Sequence, residues 1–243
     1  MNWKEKITMP PSERQTVVDS YKLWWHTIDF GDGIYSNGSK AATFSRNKAT
    51  IAERDFRLWR MRSELFEGKH VLDIGAWDGA HSFLAERWGA KSVTALDNYM
   101  NKPDSPYQEG FKIAKKILNS EVKMINMDLI DATPENIGKY DVILFAGVLY
   151  HLDDPYRSLK IVKELLNEGG MLFIETHCTI DMPDIPIMVF HPADSLNGDS
   201  SNIWSPNELC LTKMMEELGD MVFIQSWHKE DRLIQYWGKK ESQ

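Results

Sequence analysis

Between residues 70 and 175 the sequence alternates short apolar segments with amphipathic ones, and this alternation limits the possible folds more than any other feature. The apolar segments predict five strands, at 70–74, 92–96, 122–126, 141–147 and 171–174. Strand–helix units repeated in a row need a parallel sheet with helices on both faces. Two later segments, 221–226 and 232–236, predict two more strands. We therefore expect a doubly wound α/β fold with a mostly parallel, seven-stranded sheet.

The region before this pattern is predicted to form an N-terminal helical cap over residues 1–66. A helix is expected over 12–30 and a second over about 49–65, separated by the turn signals Gly31-Asp32-Gly33 and Asn37-Gly38. The aromatic side chains of the first helix, beside turns suited to hinge motion, suggest that residues 12–38 form a lid over a site. The alternative interpretation is plain packing of the cap on the core.

Residues 67–243 are predicted to form the core, with an irregular substrate insertion at about 177–204. The helix that begins at Pro155 is expected to stop at Gly169-Gly170. After the insertion, Ser205-Pro206-Asn207-Glu208 has the pattern of a capping box with proline at the first helical position.

Composition and charge narrow the possible environments and partners. No run of about 18 apolar residues exists, so no membrane span is expected. The charged N-terminus lacks the apolar stretch of a secretory signal, and the two cysteines, Cys178 and Cys210, predict neither a disulfide framework nor a zinc site. A cytoplasmic location fits these features. The net charge of −8 disfavours a nucleic-acid partner, because phosphate contacts need a basic surface.

A glycine-containing turn follows the first predicted strand, in the segment Asp73-Ile74-Gly75-Ala76-Trp77-Asp78-Gly79. Glycine lets the backbone turn sharply and approach a ligand closely. A dinucleotide fingerprint would need glycine at 75, 77 and 80, whereas positions 77 and 80 are Trp and Ala. A pyrophosphate site is therefore disfavoured, and S-adenosylmethionine, which carries adenosine without phosphate, is the common alternative. Asp73 suits the cationic ammonium end of that cofactor.

Acidic residues follow the next two predicted strands. Asp97 ends the second strand, where a carboxylate can accept both ribose hydroxyl protons. Asp128 follows the third strand and can accept from an adenine amino group, with Asp131 as its competitor. Any one of these acids alone is more commonly a strand-end residue, but three beside a glycine turn favour a cofactor site. The candidate cofactor-binding residues are Asp73, Gly75, Ala76, Trp77, Gly79, Asp97, Asn98, Asp128, Leu129, Ala146 and Gly147.

Residues 70–175 resemble the class I S-adenosylmethionine-dependent methyltransferases, which have a Rossmann-like fold. The resemblance rests on Asp73-Ile74-Gly75 with Gly79, on Asp97 as the ribose-binding acid, and on the fourth-strand segment 141–151. Trp77 departs from the glycine usual in that family. Over roughly residues 50–220 the chain most resembles the group typified by the enzyme that carboxymethylates wobble uridine in tRNA. That likeness rests on 147–151, on Glu175-Thr176 and on 202–206.

The candidate catalytic residues are Tyr150, His151 and His26. Tyr150 and His151 follow the fourth strand, at the edge where open α/β sheets bind ligands. In the resembled enzymes the matching tyrosine contacts the transferred group. The alternative interpretation of His151 is a structural histidine whose hydrogen bond fixes the following loop. His26 is the other candidate base. His191 and Asp194 have a spacing that could ligate a metal, but nothing nearby completes a set, so no metal is predicted.

Three functions fit these features. The leading one is S-adenosylmethionine-dependent methylation of an oxygen or nitrogen atom of a small polar metabolite. The second is modification of wobble uridine in tRNA, by methylation or carboxymethylation with a modified cofactor. The third is a cofactor-binding partner subunit without activity of its own. The sequence leaves the oligomeric state open, and many small-molecule methyltransferases share these motifs.

Overall fold

The computed structural model describes residues 3–38, 51–98 and 107–241. Within these ranges the chain forms seven α-helices and nine strands. The helices are α1 (Pro11–Ser20), α2 (Ile51–Leu58), α3 (Ala80–Arg87), α4 (Tyr107–Leu118), α5 (Pro134–Ile137), α6 (Pro155–Glu164) and α7 (Glu208–Glu216). The strands are β1 (His70–Ile74), β2 (Ser92–Asp97), β3 (Lys123–Asn126), β4 (Tyr140–Ala146), β5 (Leu166–His177), β6 (Met188–Phe190), β7 (Trp204–Pro206), β8 (Met221–Lys229) and β9 (Arg232–Lys239).

The strands confirm the predicted fold class, a mostly parallel seven-stranded sheet in the order β3-β2-β1-β4-β5-β9-β8. The chain divides into two compact units, residues 1–128 and 129–243. In the first unit, β1 pairs with β2 and β2 with β3, all parallel. In the second, β4 and β5 are parallel, while β9 runs antiparallel to both β5 and β8.

Apolar side chains at regular spacing form the core of the first unit. On α4, Phe111, Ala114, Ile117 and Leu118 are all buried, so the helix presents one continuous apolar stripe. The Phe111 ring packs against Phe83 of α3, with 5.2 Å between ring centroids. Full burial of such a side chain stabilises the fold by roughly 1.5–3 kcal/mol, which is why these positions define the helix orientation.

The helix predicted over 12–30 is wrong beyond residue 20, because α1 ends at Ser20. From there to residue 30 the chain is not helical, and alternate residues are buried: Trp24, His26, Ile28 and Phe30. A period of two is that of an extended chain, so the aromatic residues of this segment follow strand-like rather than helical spacing. The second predicted helix is also shorter than expected, since α2 ends at Leu58; positions 49–50 lie outside the described residues.

Two predicted boundaries in the second unit are also wrong. Helix α6 ends at Glu164 rather than at Gly169-Gly170, and these glycines lie inside the long strand β5. A Cβ at Gly170 would lie 2.7 Å from the carbonyl oxygen of Asn167, so the backbone comes too close at this position for any larger residue. The glycine lies beside an irregularity in the β4–β5 pairing.

The capping box predicted at Ser205 is wrong, because the N-cap of the helix lies two residues later and has no reciprocal side-chain contact. Helix α7 begins at Glu208, and the side chain of Asn207 caps it by accepting from the backbone N–H of Cys210. Pro206 belongs to β7, which pairs antiparallel with β6 and gives the predicted irregular insertion a small sheet of its own. No helix in the described part of the chain is long and apolar enough to cross a membrane.

Candidate functional site

The turn between β1 and α3 (residues 75–79, the cofactor turn) depends on left-handed backbone at three positions. Gly75, Trp77 and Gly79 have φ angles of 74°, 52° and 84°. At Gly79 a Cβ would also lie 2.7 Å from the rings of Phe83 and Phe111, so no larger residue fits without displacing both. The glycine pattern predicted from the sequence therefore has a local steric cause.

Trp77 takes a conformation that glycine would adopt without strain. For a bulky residue the left-handed region costs on the order of 1–2 kcal/mol, so other contacts must hold it. Its backbone N–H donates to the Asp97 carboxylate over 2.8 Å, and its ring lies 5.4 Å from that of Trp25. Asp97 is buried at the end of β2. The carboxylate predicted to bind ribose therefore also fixes the cofactor turn.

The tips of β2 and β3 are joined by a hydrogen bond between two predicted site residues. The side-chain amide of Asn98 donates to the Asp128 carboxylate over 2.8 Å, at the surface of the first unit. Leu129, the next predicted residue, is buried and begins the second unit.

Asp73 is buried within the first unit, where the Ser82 hydroxyl donates to its carboxylate over 2.5 Å. Burial raises the pKa of the Asp73 carboxyl, against the opposing effects of His81 and Ser82. This hydrogen bond ties β1 to the first turns of α3. A contact between Asp73 and an ammonium group stays a prediction.

Asp78, which the sequence analysis did not select, anchors the N-terminal segment to the cofactor turn. Its side chain is only 1% exposed and accepts from the backbone N–H groups of Trp25 (2.9 Å) and His26 (2.8 Å). The Nδ1 atom of His26 makes a still closer contact with its other carboxylate oxygen. His26 and Asp78 are 52 residues apart, and no local pattern connects them. The lid predicted over residues 12–38 stays a prediction, with Asp78 as the residue that would restrain it.

In the second unit, Gly147 follows β4 with a φ of 73°, and its N–H donates to the backbone carbonyl of Glu175 over 2.9 Å. Ala146 and Gly147 are both partly exposed, as a ligand contact requires. Tyr150 lies in the helical turn that comes next and is buried.

Tyr150 belongs to a group of side chains that we call the acceptor cluster, comprising Tyr150, Glu175, His177 and Arg232. Arg232 forms a two-contact ion pair with Glu175, with 2.7 Å between Nη2 and Oε2 and a closer contact at Nε. Its guanidinium carbon lies 4.8 Å from the centroid of the Tyr150 ring. Burial raises the pKa of the Tyr150 phenol; the nearby Glu175 acts in the same direction and Arg232 opposes it.

His177 packs edge-on against Tyr150, with 4.5 Å between ring centroids, and its Nδ1 lies 3.1 Å from Asp231. Burial and the Arg232 charge lower its pKa to about 4, so His177 is neutral at pH 7. Neither His177 nor Arg232 was predicted as a site residue. Arg232 reaches Glu175 across 57 residues of sequence, a distance that no motif spans.

The remaining predicted histidines have ordinary hydrogen-bond partners. His151 directs Nδ1 at the carbonyl oxygen of Ser201 (2.8 Å), and His191 directs Nε2 at the Ser205 hydroxyl (2.9 Å). Across residues 3–38, 51–98 and 107–241, no three His, Cys, Asp or Glu side chains are grouped as a metal ion would require.

The first unit offers polar groups at the strand tips, beside exposed backbone. The cofactor turn is exposed at Gly75, as close approach of a ligand requires, whereas Gly79 is buried against Phe83 and Phe111. The Asp97 carboxylate lies at the β2 tip, and Asn98 with Asp128 offers amide and carboxylate groups at the next tip. The contact of Asp97 with a ribose stays a prediction. These residues fit an adenosine-containing cofactor.

Comparison with known proteins agrees with this arrangement. Residues 49–239 match the family described as a methyltransferase domain. The tRNA U34 carboxymethyltransferase of Campylobacter concisus (strain 13826) is 36% identical over 111 residues, which cover 45% of this chain and 36% of that protein. The enzyme of the same name from Actinobacillus succinogenes is 28% identical over 169 residues, covering 68% of this chain and 50% of its own. The chain thus spans half or less of the length of these curated relatives.

Solved structures show the same fold at low sequence identity. The N-terminal domain of EvdMO1 with S-adenosylhomocysteine (SAH) bound is 18% identical, with a TM-score of 0.67 over 96% of this chain and 98% of that one. The 1,6-didemethyltoxoflavin-N1-methyltransferase of Burkholderia thailandensis is 16% identical, with a TM-score of 0.59 over 96% and 92% of the two chains. The chain belongs to the methyltransferase domain family, which confirms its predicted place among the class I S-adenosylmethionine-dependent methyltransferases.

Proposed function

We propose that this chain transfers a methyl group from S-adenosylmethionine to an oxygen or nitrogen atom of a small polar acceptor. The observation that carries this proposal is the Asp97 carboxylate, which lies at the β2 tip and accepts from the N–H of Trp77 in the left-handed cofactor turn. The proposed cofactor contacts are those predicted above, with Asp97 on the ribose and Asp128 on the adenine. When bound, S-adenosylmethionine supplies an electrophilic methyl carbon attached to a sulfonium.

Tyr150 is proposed to orient the acceptor by donating a hydrogen bond. Because burial raises the pKa of its phenol, Tyr150 stays protonated at neutral pH and is a donor rather than a base. Alignment of the reacting atoms accounts for most of the rate enhancement that a protein can add to an in-line methyl transfer.

His151 is proposed to take the acceptor proton. A carbonyl oxygen can only accept, so the contact with Ser201 requires the proton of a neutral His151 ring on Nδ1. The lone pair is then on Nε2, which is the form that a general base needs.

His26 is the other candidate base, and its surroundings also direct Nδ1 toward an acceptor, the Asp78 carboxylate. His26 is more buried than His151, however, and its backbone N–H is held by the same carboxylate. We therefore assign His26 the role of holding the N-terminal segment, and His151 the role of base.

Modification of wobble uridine in tRNA is the second candidate function, favoured by the names of the two curated relatives. The distribution of charge in this chain opposes it. From residue 164 to residue 212, which includes the whole predicted insertion, the sequence contains no lysine or arginine. A surface that grips a phosphate backbone needs such residues.

Label transfer separates the candidates. The protein is incubated with S-adenosylmethionine labelled in its methyl group, together with either total tRNA or a fraction of small polar metabolites. We expect label in small molecules and none in tRNA, and strongly reduced transfer with Asp97→Ala when S-adenosylmethionine is below saturation. Label in tRNA would establish the second candidate. If SAH binds but label reaches neither pool, the proposal is wrong. A gel shift with tRNA then separates the remaining candidates: salt-sensitive binding indicates tRNA modification with a modified cofactor, and no binding indicates a cofactor-binding partner subunit.

A further inference from the structure

The second unit contains a cavity of about 460 Å³ that the proposed function does not use. It lies among the residues after β5, helix α7 and strand β8. Its apolar lining consists of Ile180, Pro183, Leu209 and Phe223. This volume lies within the range of small-molecule sites, roughly 300–1,000 Å³.

The apolar side chains at this cavity are unusually exposed. Ile180 is 75% exposed and Phe223 is 45% exposed. Large exposed apolar side chains that converge on one concave surface mark a binding site more often than scattered ones do. The cavity would therefore favour a ligand with an apolar body.

The charged groups at the cavity are two carboxylates, those of Glu208 and Glu216. The described lining includes no lysine or arginine. Glu216 is paired with Lys213 at the surface, over 2.6 Å. Glu208 is instead paired with the imidazole of His228, whose Nε2 lies 2.8 Å from Oε2.

The other side of the His228 ring contacts Cys178, whose sulfur lies 3.5 Å from Nδ1. Burial raises the pKa of this thiol to about 11, so Cys178 stays protonated and adds no charge at the cavity. The imidazole is thus held between the Cys178 sulfur and the Glu208 carboxylate.

Glu208 keeps its negative charge in this arrangement. Burial raises the pKa of its carboxyl, but the hydrogen bond and charge interaction with His228 oppose that effect, and the pKa is lowered overall. The cavity therefore presents a carboxylate, held in place by the His228 imidazole, beside an apolar surface.

We propose that this cavity binds a small organic cation with an apolar body, its ammonium group at Glu208 and its apolar part against Leu209 and Phe223. The fixed hydrogen bonds of His228 prepare the carboxylate for an incoming donor, which lowers the cost of ordering it on binding. The site does not depend on methyl transfer, and its test requires none.

The test compares three probes of equal length and different charge: n-hexylammonium, hexan-1-ol and hexanoate. Binding is followed by two-dimensional NMR of the intact chain. We expect n-hexylammonium to shift the amide signals of Leu209, Thr212 and Phe223 with a Kd of about 1 mM. Hexan-1-ol should bind at least about fivefold more weakly, and hexanoate should not saturate the site.

Variants locate the interaction. Glu208→Gln should weaken n-hexylammonium binding at least about fivefold and leave hexan-1-ol binding unchanged. Glu230→Gln, which removes an exposed carboxylate outside the cavity, should change neither. Leu209→Trp should fill the cavity and abolish binding of both probes. The proposal is overturned if hexanoate binds as tightly as n-hexylammonium, or if n-hexylammonium shows no saturable binding. It is also overturned if the shifted signals belong only to residues outside the cavity, or if Glu208→Gln binds n-hexylammonium with unchanged affinity.

Discussion

The cofactor turn and the acceptor cluster are held by different kinds of interaction. At the cofactor turn, the Asp97 carboxylate accepts from the backbone N–H of Trp77, and the Asp78 carboxylate accepts from that of His26. Only a substitution by proline would remove such a backbone donor. In the acceptor cluster, side chains hold one another: Glu175 pairs with Arg232, whose guanidinium lies over the Tyr150 ring. A change at one cluster residue therefore leaves its partner uncompensated. We expect substitutions in the turn to act mainly on binding, and substitutions in the cluster to act on stability as well.

The largest expected effect is that of Glu175→Ala, which leaves Arg232 mostly buried and unpaired. Loss of one partner from a buried pair costs about 3–5 kcal/mol; because Arg232 keeps some access to water, we expect about 2–4 kcal/mol. Urea unfolding measures this change. The double variant Glu175→Met with Arg232→Met should recover much of the loss, and Glu230→Ala, at an exposed site, should change stability little. A loss below about 1 kcal/mol for Glu175→Ala would contradict the comparison.

The next effect is on cofactor binding. Asp97→Ala should weaken SAH binding by about 1.5–3 kcal/mol, the range for charge-assisted hydrogen bonds, as measured by titration calorimetry. Glu230→Ala, which removes an exposed carboxylate from the turn after β8, is the control and should leave the affinity unchanged. Unaltered SAH affinity in Asp97→Ala would show that the ribose binds elsewhere.

Tyr150→Phe should reduce kcat about tenfold, or about 1.4 kcal/mol, because the acceptor loses a hydrogen-bond donor while the ring remains. The affinity for SAH should stay the same. Tyr156→Phe, on α6, removes a phenol outside the acceptor cluster and should leave kcat unchanged. Equal losses of turnover and cofactor affinity would place Tyr150 in cofactor binding instead.

The smallest effect concerns the pH dependence of stability. The pKa of His177 falls from 6.5 to about 4 on folding, so between these values the unfolded chain binds a proton that the folded chain does not. Stability should therefore decrease as the pH falls from 6.5 to 4, by about 1 kcal/mol once solvent screening is considered. Urea unfolding across this range measures the slope, and His177→Gln should flatten it. A slope unaffected by this substitution would assign the pH dependence to other groups.

The difference between contacts local to one turn and contacts between distant side chains explains how much of the site could be predicted. The turn after β1 could be predicted from the sequence because a left-handed turn after a strand needs glycine at nearby positions, whereas the contact of Asp97 with a cofactor stays a prediction. Arg232 and Asp78 could not be found in this way, since their partners are 57 and 52 residues away. Residue type alone does not show which distant carboxylate a buried arginine will meet.

The N-terminal segment shows a limit in predicting secondary structure. Its aromatic residues made a long helix plausible, yet Trp24, Ile28 and Phe30 are buried at a period of two. Six of the ten residues from 21 to 30 are large and apolar or aromatic, so both periodicities can be traced through the same sequence. The mostly parallel, seven-stranded sheet was predictable because continuous apolar segments separated by helices leave few alternative folds.

The contact between Trp25 and Trp77 gives the protein an optical reporter. Two indole rings with centroids 5.4 Å apart and planes inclined by 41° couple electronically, so the pair should contribute its own circular dichroism and quench its own fluorescence. One ring belongs to the cofactor turn and the other to the segment held by Asp78. Any ligand or substitution that separates them should change both spectra, without an attached dye.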